Sequence, residues 1–131
     1  MQVSQIISPA ATHFLSRKAQ DAIDAGAGVR AVVLATVDGF TVTSAMQTSL
    51  DPARIAALAS SIATIGSVAT QEAGLGKCTS LTLNTDQGFA VLRHLQVEAK
   101  ELVLIMIADG SSVLAQVLYQ AHQLAREAVA L

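Results

Sequence analysis

The stretch DPARIAALASSIATIGSVATQEAG at residues 51–74 carries no charged side chain between Arg54 and Glu72. Asp51 before Pro52 is a helix start signal, with an N-cap carboxylate and a proline where no intrahelical N–H is required; Gly74 and Gly76 supply the stop. On a helical wheel the segment divides into three faces. Ile55, Leu58, Ile62, Ile65 and Ala69 form a stripe of mostly large residues, which is assigned to the chain's own sheet. Beside it Ala56, Ala59, Ser60, Ala63, Gly66, Ser67 and Thr70 form a second stripe made only of small side chains. Arg54, Ser61, Thr64, Gln71 and Glu72 make a polar face left for water or another partner. A solvated helix face is normally rich in Lys, Glu, Gln and Arg, and glycine in a helix costs roughly 1 kcal/mol relative to alanine. The small-residue stripe is therefore expected to be a helix-to-helix seam, meeting its own copy across a two-fold axis. The other reading is that a loop or the first helix of the same chain covers it.

Outward from this helix the remaining elements follow from caps, turns and periodicity. Ser8-Pro9 caps a first helix whose apolar residues Phe14, Leu15, Ala19, Ala22 and Ile23 recur until Gly26 and Gly28. Residues 29–36 are rich in branched side chains, Asp38-Gly39 turns the chain, and residues 40–44 alternate, which predicts a hairpin. Residues 77–85 and 89–95 read as a second strand pair around Asp86-Gln87-Gly88. The echo between the turns Asp38-Gly39-Phe40 and Asp86-Gln87-Gly88-Phe89 is turn chemistry rather than a repeat. Residues 102–108 are continuously apolar, the mark of a strand buried on both faces and central in its sheet. Ser111 or Ser112 is expected to cap a last helix bearing Val113, Val117, Leu118, Ala121, Leu124 and Ala125. The expected fold class is α+β, a single five-stranded antiparallel sheet between helices in the order α-β-β-α-β-β-β-α, with residues 1–131 as one domain.

Composition narrows the function classes. The 131 residues are 52% hydrophobic and only 14% charged, a low charge density for a small domain, so part of the surface is expected to meet a partner. A net charge of -2 and an aromatic content of 3% provide neither a basic footprint nor stacking platforms for nucleic acid. The single cysteine, Cys78, has no internal disulfide partner, which fits a reducing compartment. Residues 1–9 lack a basic and apolar leader pattern, and no segment is read as reaching the ~20 apolar residues of a membrane span. A cytoplasmic protein without membrane insertion is expected.

The hairpin around Val37-Asp38-Gly39-Phe40, the small-residue helix, the strand pair ending at Leu95 and the closing segment 102–125 together resemble the roadblock/LC7 domain across nearly the whole chain. No single motif carries the likeness; order and spacing do. The resemblance implies a small, dimeric, catalytically silent protein whose dimer extends a shared sheet and sets two central helices side by side. It adds Cys78 and Ser80, on the strand at residues 77–85, to the expected dimer interface with the small stripe of the helix. It further implies a Ras-like small GTPase as partner, regulated or scaffolded, and the brevity of the sequence suggests a stand-alone bacterial type rather than a dynein light chain.

The residues give little to an enzyme reading. His13, His94 and His122 fall on three different expected elements, without metal-ligand spacing among themselves or to Cys78. A Cys78 nucleophile with His94 as base requires their strands to be neighbours, and Asp38, Asp86 and Asp109 suit turns better than paired acid–base chemistry. Gly74, Gly76, Lys77 and Thr79 lie between a helix and a strand, the reverse of a phosphate loop. Arg54 and Arg93, the arginines in the central part of the chain, are expected to be solvated rather than to act as fingers on a GTPase. No catalytic, cofactor or metal residue is assigned. Two other readings remain, a sensory module holding a small apolar ligand between sheet and helix, and a structural subunit of a larger assembly.

Overall fold

A computed structural model describes residues 6–47 and 49–131, so the part of the leader reading that concerns residues 1–5 lies outside the described residues. The elements run α1 (Pro9–Asp24), β1 (Val29–Thr36), β2 (Thr41–Met46), α2 (Pro52–Glu72), β3 (Ser80–Thr85), β4 (Gly88–Val97), β5 (Lys100–Asp109) and α3 (Leu114–Val129). The five strands form one antiparallel sheet in the order β2-β1-β5-β4-β3, which places the continuously apolar strand at the centre as its composition predicts. Alternation along the strands sorts the core into two layers. Val32, Leu34, Val91, Leu102, Leu104 and Met106 point to one face, covered by α1 and α3. Val33, Ala35, Leu92, Val103 and Ile105 point to the other, where α2 alone lies.

The first two helices start as their sequences predict. The Ser8 hydroxyl accepts from the Ala11 N–H at 3.1 Å and the Asp51 carboxylate accepts from Ala53 N–H at 3.0 Å. The third does not. Val113 occupies its N-cap position without a side-chain bond, because both serines are engaged elsewhere. The Ser112 hydroxyl donates to the Ala27 carbonyl at 2.6 Å, and the Ser111 backbone N–H donates to Asp109 at 2.9 Å. Long-range bonds that tie the end of β5 to the α1–β1 turn replace the local cap. The strand expected at residues 77–85 begins only at Ser80, and the last hairpin is tighter than expected, with Val97 paired to Lys100 across Glu98-Ala99.

That two-residue turn holds both residues in the left-handed region, Glu98 at φ 52° and Ala99 at φ 65°. Such turns favour Asn and Gly, so the sequence carries no turn signal there. Ala99→Gly is expected to stabilise the fold by about 0.5–1 kcal/mol, the relief of left-handed strain exceeding glycine's larger unfolded-state entropy. Urea unfolding of the two proteins checks it; a lower midpoint for the variant contradicts it.

Asp109 anchors the opposite end of the sheet. Hydrogen bonds from the Ser111 side chain and backbone, followed by the Arg30 guanidinium at 2.7 Å, lower its pKa from 3.8 to about 2. A carboxylate with a depressed folded pKa favours the folded state above its unfolded value, and that contribution vanishes as pH falls through the folded one. Stability is thus expected to decline between pH 3.8 and about 2, with the part due to this residue absent in Asp109→Asn. Thermal melts of both proteins across that interval measure the difference; parallel curves contradict the assignment.

Candidate interaction surface

The two stripes of α2 exchange their expected roles. Ala56, Ala59, Ser60, Ala63 and Gly66 are the buried residues of the helix and pack onto the chain's own sheet, so they are unavailable to a partner. Leu58, Ile65 and Val68 instead stand 53%, 68% and 55% exposed, while Ile55 and Ile62 flank the packed layer as half-buried residues. The cause is space between the layers. The sheet beneath α2 already presents Val33, Leu92, Val103 and Ile105, so a close-packed interior leaves room only for small side chains on the helix. Gly66 marks the nearest approach, where a Cβ would lie 2.6 Å from a Leu81 methyl. Ser60 joins the layers differently, its hydroxyl donating at 2.8 Å to the Thr36 carbonyl inside the core. Ser67 and Thr70 continue the small stripe as half-exposed residues, and Arg54, Ser61, Thr64, Gln71 and Glu72 are exposed as expected.

One helix does not cover five strands. Leu83, Ala90 and Ile107, opposite one another on β3, β4 and β5, share the α2 side of the sheet and line a shallow depression of about 240 Å³. Leu83 is exposed and the other two half-buried. β3 closes this side as an edge strand, paired only with β4, so its outer backbone N–H and C=O groups are open to another strand. Ser80 lies exposed on that edge. An exposed apolar helix ridge, an uncovered apolar strip of sheet and an open strand edge therefore occupy one side of the molecule.

α2 also departs from the membrane expectation. The helix is 21 residues long and contains an 18-residue window with a mean hydropathy of 1.3, long and apolar enough to cross a bilayer. Counting large apolar residues understates it, because the alanines also raise the mean. Packing of its small face on the sheet confines the question to the outer face.

Cys78 is buried rather than presented to a partner, which removes it from the expected interface. Its thiol donates to the Ser80 carbonyl at 3.5 Å, while His94 Nδ1 lies 3.3 Å from the Glu101 carboxylate without hydrogen-bond alignment. β3 and β4 are neighbours, as a Cys78–His94 pair requires, and both residues line one pocket, yet the thiol is engaged with backbone. Arg93 is half-buried in that pocket and its Nε is covered, contrary to the expectation of a solvated arginine; Arg54 is exposed. His13, His94 and His122 lie on α1, β4 and α3.

No family model and no curated protein matches the sequence. Solved structures do match it. The gliding protein MglB of Thermus thermophilus is 14% identical with a TM-score of 0.79, over 95% of this chain and 96% of that one. An MglB with a tetrameric arrangement is 14% identical at 0.77, over 93% and 95%. A roadblock/LC7 domain from Streptomyces avermitilis is 16% identical at 0.75, over 86% and 92%. Likeness at these identities is likeness of fold, and the fold of this chain is that of the roadblock/LC7 domain.

Proposed function

We propose that this chain, folded as a roadblock/LC7 domain, is a non-catalytic homodimeric interaction module that binds a Ras-like small GTPase and regulates or scaffolds it. The observation that carries self-association is the outer face of α2, where Leu58, Ile65 and Val68 are exposed beside the open edge of β3. Burying each of these side chains is worth about 1.5–3 kcal/mol, and a two-fold axis doubles every contact. An antiparallel β3 pair across the axis satisfies the edge backbone and brings the two α2 ridges together. Ser67, Thr70 and Ser80 then lie at the rim of the seam, with the large residues in its middle. The solved MglB described as tetrameric is a similar fold that assembles with itself.

The GTPase half of the reading rests on the resemblance to the roadblock/LC7 domain. A homodimer offers one continuous sheet with paired helices, a broad platform that needs no catalytic group of its own. Sedimentation of the purified chain tests the first half, and a monomer at tens of micromolar, about where a weak dimer dissociates, contradicts it. For the second half, the chain serves as bait, and any Ras-like GTPase recovered is assayed with GDP and with a non-hydrolysable GTP analogue. Binding that follows the nucleotide indicates regulation, equal binding indicates a scaffold, and recovery of no GTPase removes this partner class.

A further inference from the structure

We propose that residues 77–79 are a hinged strap that closes onto β4, lengthening β3 at its start and filling the pocket in front of it. The β4 backbone has the bonding groups to receive it. Two-residue turns close both hairpins of this strand, with Thr85 paired to Gly88 and Val97 to Lys100. Pairs that flank such turns exchange both hydrogen bonds, and the bonding side then alternates along the strand. The N–H and C=O of Gly88, Ala90 and Leu92 therefore face β3, and those of His94 and Gln96 continue the same row. β3 stops short of them, since its first pair is Ser80 with Arg93. Continued in register, Thr79 meets His94, Cys78 meets Leu95 and Lys77 meets Gln96. Among the described residues no backbone hydrogen bond joins residues 76–79 to β4, yet Lys77, Cys78 and Thr79 line the same pocket of about 290 Å³ as His94, Leu95 and Gln96.

Pattern and hinge both favour closure. Residues 77–85 alternate as one strand, whereas β3 begins only at Ser80. Alternation places Cys78 on the side opposite Leu81, which lies in the α2 layer. There the closed strap presents it to Leu95, Ala125 and Val129, the apolar lining of the pocket. In the open form its thiol is held instead by the Ser80 carbonyl at 3.5 Å. α2 ends where the Leu75 N–H donates to the Thr70 carbonyl at 2.8 Å, and Gly76 follows at φ +82° with no atom within 4 Å of an added Cβ. A left-handed glycine with open space around it turns without displacing a neighbour. Closure adds Cys78 to the row of outward backbone groups at Ser80, Thr82 and Asn84. Its effect on self-association rests on β3 being the seam, whereas closure itself does not.

NMR on the isotope-labelled full chain tests closure. Cys78 and Leu95 form a non-hydrogen-bonded pair in the closed form, with Cα atoms about 4.5 Å apart, so a strong Hα–Hα Overhauser effect between them is expected. The His94 and Gln96 amides are expected to be protected from hydrogen exchange. Gly76→Ala penalises the left-handed open form and is expected to raise the closed-to-open ratio about five- to thirtyfold. Thr79→Pro removes the N–H that closure gives to the His94 carbonyl, so the Overhauser effect and the protection of both amides are expected to be lost. Position 79 is exposed, and unchanged protection of Leu92 in each variant reports an intact β3–β4 pair. Absence of the Cys78–Leu95 Overhauser effect from both wild type and Gly76→Ala, or equal exchange at His94 and Gln96 in all three proteins, overturns the proposal. These readings do not use the oligomeric state, so a failed strap and a failed dimer are told apart.

Discussion

Ile65→Glu is expected to turn the dimer into a folded monomer. Ile65 is 68% exposed on the outer face of α2, so the protomer loses almost no packing when it is replaced. Surface substitutions of this kind usually change stability by no more than about 0.5 kcal/mol. In the dimer the same change acts twice, removing two isoleucines from the seam at about 1.5–3 kcal/mol each, and Kd rises by about 10²–10⁴ before any repulsion between carboxylates is counted. Leu58→Glu, one ridge position away, is expected to do the same. Sedimentation velocity over a dilution series measures the shift, with circular dichroism confirming the fold. If Ile65→Glu sediments as the wild type does, the outer ridge is not the seam. Any part of the wild type's melting temperature that depends on protein concentration should vanish in the variant, since association raises apparent stability by mass action.

Ala63→Glu is expected to unfold the protomer itself. Ala63 is 2% exposed and faces Val33, Leu92 and Val103 across the layer, with no charged side chain in that cluster. A carboxylate there must protonate, stay unpaired in an apolar interior, or lift the helix from the sheet. Each route costs at least about 4 kcal/mol, a large share of the 5–15 kcal/mol that holds an ordinary domain together. The measurement is cooperative urea unfolding, which is expected to be lost or to shift to far lower urea. A variant that unfolds like the wild type but sediments as a monomer would restore the small stripe as the seam. The contrast between the two substitutions, two residues apart on one helix, separates the inner face from the outer.

The elements were legible because their signals are local. Ser8-Pro9 and Asp51-Pro52 start helices through bonds within one turn. The apolar run at residues 102–108 can be satisfied only in the middle of a sheet. Where a distant partner intervenes, the local signal misleads: Ser112 is drawn from the expected cap by the Ala27 carbonyl, and the Glu98-Ala99 turn closes without turn residues because paired strands on both sides hold it. The pocket lined by Lys77, Arg93 and Arg126 was not legible, since these residues lie far apart in sequence and share one pocket only through the β3–β4 pairing and the packing of α3 on β4.

The long uncharged helix at residues 51–74 shows both sides of this boundary. From sequence alone it is a helix with two apolar stripes and a polar strip, and therefore has one more apolar face than a single sheet needs. Which stripe meets the sheet is decided by the volume already occupied beneath it. Val33, Leu92, Val103 and Ile105 fill that layer, so Ala56, Ala59, Ala63 and Gly66 turn inward and Leu58 and Ile65 turn out. A helical wheel orders residues around one axis and holds no information about the surface facing it.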